Sequence, residues 1–175
     1  MNTKKMTINA LLAAMCAVLG YVSLDLGYLK VTFESVPVLM AGLMFGPGSG
    51  ALVGGIGTLI YQLLRYGVSA TTLLWMLPYI LSGFISGLFA KKYGFRNTTI
   101  QLAFIISSME ILVFLLNTAV IYIDSKLYGY YSFAYVFGSF FVRFAIAIVK
   151  CAAFSVVIPR LLIAMSGITG NGRRG

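Results

Sequence analysis

The sequence predicts an all-α membrane protein, a six-transmembrane-helix bundle that forms a single domain over residues 1–175 and has both termini on the cytoplasmic side. Hydrophobic residues make up 60% of the chain and charged residues only 10%, whereas a soluble domain carries about a quarter charged residues. The mean hydropathy is +0.96. One transmembrane helix uses about 20 residues, so 175 residues provide for one compact bundle.

Apolar runs interrupted by glycine, proline or charge predict the six helices. Their ranges are 6–23, 35–46, 48–66, 71–90, 98–123 and 134–160. The first run follows two lysines, as in a signal peptide, but five more apolar runs follow it, so a retained helix is predicted. The second run, of about 12 residues or roughly 18 Å, is too short to cross a hydrocarbon core of about 30 Å without its flanks.

Positive charge predicts the orientation of the bundle. An inside N-terminus and six crossings place Lys4, Lys5, Lys91, Lys92, Arg96, Arg173 and Arg174 on the cytoplasmic side, where membrane proteins concentrate Lys and Arg. Glu34 and Pro37 then lie at the outer end of the second helix, below a long first loop, and the GPGSG stretch forms a tight cytoplasmic turn. The formal charge of +9 is thus explained by topology, since the cations do not form the stripe that nucleic-acid binding requires.

Four polar side chains lie inside the last two predicted helices. A rise of about 1.5 Å per residue places Glu110 and Lys150 at roughly 18 and 15 Å from the inner surface, so the two are predicted to form an ion pair. Asn117 and Arg143 lie seven residues further out on the same helix faces. Arg143 there suits an anionic solute, because its planar fork binds carboxylate; the alternative is that it extends to lipid headgroups.

Aromatic residues concentrate around the connection between the third and fourth helices. Tyr61, Trp75 and Tyr79 there, with Arg65, fit either an interfacial aromatic belt or flat walls around a heteroaromatic ligand whose charges meet Arg65 and Arg143.

Catalytic and metal-binding motifs are missing from the sequence. The chain has no histidine and two cysteines, both inside apolar runs, and it has no phosphate-binding loop or paired carboxylates. No enzyme activity, metal site or cofactor is therefore predicted, and a membrane enzyme acting on lipid is disfavoured. If the chain moves a solute uphill, another protein must supply the energy.

One stretch carries a family resemblance. The pattern P-x-L-x-A-G-x-x-x-G-P-x-x-G-A from Pro37 to Ala51, with ALLAAMCAVLG in the first helix and KK before YGFR after the fourth, resembles the substrate-binding S components of energy-coupling factor (ECF) vitamin transporters. The resemblance implies a cell-membrane protein with a vitamin cavity open to the outside. It also implies docking on a transmembrane coupling subunit that sits on two cytoplasmic ATPases. Ala10 with Ala14, or Ala13 with Ala17, matches the family's docking pattern on the first helix.

The segment TTLLWMLPYILSGFISGLFAKK is most similar to the folate-specific members of that family. Folate has a planar pterin, which would stack on Trp75 or a tyrosine, and a dianionic tail, which would favour Arg65, Arg143 or Lys30. The expected ligand-binding residues are Glu34, Tyr61, Arg65, Trp75, Tyr79, Asn117 and Arg143. Riboflavin, thiamin or a pyrimidine precursor remain alternative ligands, and a structural membrane subunit without transport is the alternative function.

Overall fold

The chain folds into a helical bundle whose elements follow the predicted order. The structure is a computed structural model that describes residues 3–25, 30–93, 98–138 and 140–169. Its helices are α1 (Thr3–Tyr21), α2 (Ser35–Phe45), α3 (Pro47–Tyr66), α4 (Thr72–Lys92), α5 (Thr99–Leu127), α6 (Phe133–Phe137) and α7 (Phe140–Thr169). Arg96, Arg173 and Arg174, three of the cations used to predict the orientation, lie outside the described residues.

Two local features differ from the sequence prediction. The first loop contains a short antiparallel ladder of β1 (Leu24–Asp25) and β2 (Lys30–Val31), and two-residue strands are too short for a periodicity signal. The run predicted as one helix over 134–160 is divided into α6 and α7, with Gly138 at the end of α6, where glycine lowers the helix propensity by about 1 kcal/mol relative to alanine.

Three described helical segments are long and apolar enough to cross a membrane: Thr72–Lys92, Thr99–Leu127 and Phe133–Met165. The short helix α2 is instead the centre of the bundle, since Ser35 through Leu43 are all buried. A helix that is apolar all round is expected to be buried on every side. Its 11 residues cover only about 16 Å, and the residues of its first turn are buried inside the protein.

The predicted corner between α2 and α3 is a single residue. Gly46 has a φ of 91°, in the left-handed region that glycine adopts without strain, and its N–H donates to the Gly42 carbonyl at 2.9 Å. Pro47 follows as the first residue of α3, where its missing N–H costs nothing. Lys5 of α1 donates to the Phe45 carbonyl at 3.0 Å and so caps the end of α2.

Glycines let α2, α3 and α4 touch through their backbones. A Cβ on Gly54 of α3 would lie 2.6 Å from the Tyr79 carbonyl oxygen of α4, and Cβ atoms on Gly50 and Gly83 would overlap with each other's backbone. We call the line formed by Gly50, Gly54, Gly83 and Gly87 the glycine seam. Small residues at this spacing allow close helix packing in membranes, so the α3 glycines serve packing within the bundle.

Candidate functional site

The connections after α1, α3 and α5 lie at one end of the bundle, because helices joined by short loops run antiparallel. We call this the first-loop end. Tyr79 of α4 is 6% exposed and Glu34, just before α2, is 2% exposed. The Tyr79 hydroxyl donates to Glu34 Oε1 at 3.2 Å. Two predicted site residues from distant parts of the sequence thus meet in one buried hydrogen bond.

Further polar side chains surround this bond. Thr32 Oγ1 lies 3.3 Å from the Tyr79 hydroxyl oxygen, and because the Tyr79 hydrogen is directed to Glu34, Thr32 is the donor. The Asn117 side chain of α5 also lies next to the Tyr79 hydroxyl. The cluster therefore combines the short segment between β2 and α2, which carries Thr32 and Glu34, with α4 and α5. Thr32 was not among the predicted site residues, although its position two residues before Glu34 could have indicated it.

Tyr61 completes the cluster on the α1 side. Its side chain is 3% exposed, and its ring packs edge-on against Tyr66 with centroids 6.1 Å apart. A Cβ on Gly20 of α1 would lie 2.9 Å from both Tyr61 Cγ and Glu34 Cδ. Gly20 is thus a second missed residue, since the absence of its side chain leaves room for Glu34 and Tyr61.

Arg65 and Trp75 lie nearer the rim of the first-loop end. Arg65 donates to the Tyr21 carbonyl at 3.1 Å and to Ser23 Oγ at 3.0 Å, so it ties the end of α3 to the end of α1. Trp75 is half-buried in the first turn of α4. The structure thus brings both residues to the same end as Tyr79, but Arg65 is engaged with the protein's own first loop.

Arg143 of α7 contacts α6 at this end. Its Nη2 donates to the Val136 carbonyl of α6. Its Nε is buried and has no hydrogen-bond partner among the described residues, and the same is true of Asn117 Oδ1 on α5. These two predicted site residues therefore retain hydrogen-bonding capacity directed into the protein.

The predicted ion pair between Glu110 and Lys150 is confirmed. Lys150 Nζ lies 2.9 Å from Glu110 Oε2, and Glu110 is 2% exposed. Lys150 Nζ also lies 5.3 Å from the centroid of the Phe154 ring, whose own centroid is 6.1 Å from that of Phe33. Phe33 directly precedes Glu34, so the ion pair lies beneath the cluster at the first-loop end.

The loop between α5 and α6 adds an aromatic rim. Tyr130 donates to the Asp124 carboxylate, and Lys126 lies 4.8 Å from the Tyr122 ring centroid. Burial and the neighbouring Asp124 raise the pKa of Tyr130. Its hydroxyl therefore stays protonated at neutral pH and holds the start of the loop against α5.

The four α1 alanines divide between two faces. Ala13 and Ala17 are 5% and 6% exposed, and the Ala13 carbonyl would lie 3.0 Å from a Cβ on Gly57 of α3. Ala10 and Ala14 are exposed. Beside them Leu11, Met15 and Val18 are 62%, 49% and 59% exposed, so this face of α1 is apolar and uncovered in the chain.

No metal centre is found among the described residues, which contain no group of three or more His, Cys, Asp or Glu side chains that could hold an ion. A cavity of about 260 Å³ lies at the opposite end of the bundle, between α4 and α5. Its walls are Phe89, Tyr93, Ile100, Gln101, Phe104 and Ile105. None of these belongs to the cluster, so this cavity is separate from the candidate site.

Comparison with known proteins identifies one family. The family model for the ECF transporter, substrate-specific component, matches residues 4–166. Among solved structures four chains match, including a crystal structure of FolT bound with folic acid. That structure has a TM-score of 0.67 and 20% sequence identity, over 89% of this chain and 91% of the FolT chain; this degree of likeness shows a shared fold. No curated protein matches the chain.

Proposed function

Because the chain belongs to the family of substrate-specific components of ECF transporters, we propose that it binds folate and delivers it across the cell membrane. Family membership makes it a substrate-binding transporter subunit and not an enzyme. In the proposal, the ligand enters a cavity open to the outside at the first-loop end. A transmembrane coupling subunit and two cytoplasmic ATPases supply the energy.

The observation that carries the proposal is the cluster below this end, in which half-buried Asn117 lies beside buried Glu34 and Tyr79. Burying such polar groups is costly unless hydrogen bonds or a ligand offset the cost, and the cluster is built from three parts of the chain, the segment before α2, α4 and α5. Folate matches the surrounding chemistry, since its pterin offers N–H donors and a flat face, and its tail offers carboxylates. Its pterin would pack on Trp75 or a tyrosine, and its carboxylates would meet Arg65 or Arg143.

The proposed topology has six crossings with both termini in the cytoplasm. Lys4 and Lys5 precede α1 and Lys91 and Lys92 end α4, which fits the excess of cations on the cytoplasmic side. Glu34 and the three loops of the first-loop end then face outward. Helix α2 is too short to span alone, so its crossing is completed by the first loop.

The first expected result is saturable quenching of Trp75 fluorescence when folate is added to the purified protein in detergent. Trp75 is the sole tryptophan, so its signal reports one place. Folate at about 100 times its dissociation constant should stabilise the protein by about 2.7 kcal/mol, which raises the unfolding midpoint by about 5–10 °C.

Riboflavin, thiamin and a pyrimidine precursor serve as comparison ligands, and N-acetyltryptophanamide corrects for light absorbed by folate. Stabilisation by one of these vitamins in place of folate would reassign the substrate. If no vitamin shifts the midpoint, the alternative of a structural membrane subunit is favoured.

The second expected result separates docking from binding. Ala10→Trp and Ala14→Trp place a large side chain on the exposed α1 face that we propose meets the coupling subunit. Folate binding should be unchanged, and uptake by cells that contain the coupling module should fall at least about tenfold, equivalent to about 1.4 kcal/mol of lost docking.

Val149→Trp on α7 is the matched control, because Val149 is 67% exposed and lies on another helix. Normal uptake by both alanine variants would remove α1 from the docking surface. Ala13 and Ala17 are unsuitable for this test, since their burial means that a bulky substitution would disturb the fold itself.

A further inference from the structure

Three buried polar atoms on the facing helices α5 and α7 are left without hydrogen-bond partners in the described part of the chain. They are Glu110 Oε1, Asn117 Oδ1 and Arg143 Nε. Buried polar atoms in proteins are nearly always hydrogen-bonded, so each of the three atoms is suited to bond a group of a ligand that enters the site. Two of the three are acceptors on α5, and the third is a cationic donor on α7.

Their order along the helix axes follows from the sequence. Asn117 lies seven residues beyond Glu110, which is about 10 Å at 1.5 Å per residue. Arg143 lies the same number of residues from Lys150, and Lys150 is paired with Glu110 at 2.9 Å. Arg143 and Asn117 therefore lie at about the same level, and Glu110 lies about 10 Å deeper.

The chemistry at Glu110 is restricted by its ion pair. Lys150 Nζ donates to Oε2, and the second carboxylate oxygen of this ion pair, Oε1, is a hydrogen-bond acceptor. The group that meets Oε1 must therefore bring an N–H or O–H, and an anionic group there would be repelled. The aromatic rings of Phe33 and Phe154 lie beside the pair and provide flat apolar surface for a ring system.

Arg143 requires a ligand group of the opposite kind, an acceptor with negative charge. Its guanidinium is a permanent cation, and its Nη2 contacts a neutral backbone carbonyl, that of Val136. Among the described residues, no carboxylate lies within ion-pair distance of the Arg143 guanidinium. A ligand that supplies a carboxylate here would neutralise the guanidinium and satisfy Nε.

We infer that the site holds its ligand in one orientation, with an N–H-bearing heterocycle on Glu110 Oε1 and an anionic group on Arg143. Glu110 then determines specificity, because it selects a donor-bearing ring and excludes an anion at the deep end. This inference rests on the proposed function and adds the direction of the ligand. Folate satisfies it with its pterin N3–H and 2-amino group inward and its glutamate carboxylates outward, whereas a ligand with a neutral tail leaves Arg143 unsatisfied.

A charge-swapped variant tests the role of Glu110. Glu110→Lys/Lys150→Glu keeps an ion pair between α5 and α7 but replaces the acceptor on α5 with a donor. If Glu110 accepts from the ligand, the variant should unfold near the wild-type temperature and bind folate at least about tenfold more weakly, the cost of a lost hydrogen bond to a charged group. Wild-type folate affinity in the swapped variant would mean that the pair is structural.

If the swapped chain does not fold, the neutral variant Glu110→Leu/Lys150→Met replaces it, and because leucine has no acceptor the same weakening is expected. Calorimetric titration of the detergent-solubilised protein provides the affinities. Wild-type protein that fails to bind folate at all overturns the proposed function, whereas wild-type binding with unaffected variants overturns only the inference about Glu110.

A second ligand tests Arg143. Folate diamide has the shape of folate but carries neutral carboxamides in place of both carboxylates. Wild-type protein should bind it at least about tenfold more weakly than folate, and Arg143→Gln should reduce that ratio to near one. Arg160→Gln, an exposed arginine on the same helix, is the control and should preserve the ratio. An unchanged ratio in Arg143→Gln would contradict the proposed orientation.

Discussion

Gly83→Ala is expected to lower the thermal unfolding midpoint by about 5–10 °C, although it adds a single methyl group. The new Cβ would overlap with the Gly50 carbonyl of α3 and lie 2.8 Å from Val38 Cγ1 of α2. Overpacking a core costs about 1–3 kcal/mol, and each kcal/mol lowers the midpoint by about 2–4 °C in a chain of this size. The cost lies at the upper end, because the contacted atom at Gly50 is backbone and cannot rotate away.

Gly48→Ala is the matched control for this substitution. Gly48 lies in the first turn of α3, in the same glycine-rich stretch as Gly50, but nothing lies within 4 Å of a Cβ built there. Alanine at Gly48 should therefore leave the midpoint unchanged or slightly raised. Circular dichroism in detergent measures both variants, and equal midpoints for the two would show that the glycine seam does not limit helix approach.

The seam illustrates what could be predicted from the sequence and what could not. The four-residue spacing of Gly50 and Gly54 indicates a helix face that another helix can approach closely. The partner positions on α4, Gly83 and Gly87, could not be predicted, because spacing along one helix defines a face but not the residue opposite. Identifying the partner requires the crossing point of two helices, which depends on every other contact in the bundle.

The ion pair between Glu110 and Lys150, in contrast, could be predicted from the sequence. Glu110 and Lys150 lie on two long helices whose regular rise converts sequence position into depth, and a charge at that depth requires a partner. The hydrogen bond between Tyr79 and Glu34 could not be predicted in this way, since Glu34 lies before α2 and outside a regular helix. The helical rise therefore predicted the depth of residues in α5 and α7. It could not predict that Glu34, at the end of the first loop, contacts Tyr79 of α4.

The α1 alanines show the same limit. Both pairs have a spacing of four residues, so the sequence offered Ala10 with Ala14 and Ala13 with Ala17 as equal candidates for docking. Gly57 decides between them, because the absence of a side chain there lets α3 pack closely against the α1 face that carries Ala13. The proposed docking surface is thereby reduced to the pair on the other face.

Lys150→Met is expected to have the largest effect on stability, a loss of about 3–5 kcal/mol, since it removes one partner of a buried ion pair. Glu110 would remain 2% exposed with no cation beside it. At about 2–4 °C per kcal/mol the midpoint should fall by about 6–20 °C. Arg160→Met removes an exposed cation from the same helix and should change the midpoint little.

Restoring electrical neutrality should recover most of this loss. In Glu110→Gln/Lys150→Met the carboxylate is gone, and replacing a buried ion pair with neutral groups is often close to neutral for stability. A midpoint for the double variant as low as that of Lys150→Met would mean that Lys150 acts by packing on Phe154 and not by compensating Glu110. Recovery of stability without recovery of folate binding would separate the two roles of Glu110, because the neutral variant keeps the fold but lacks the charged acceptor that we infer the ligand requires.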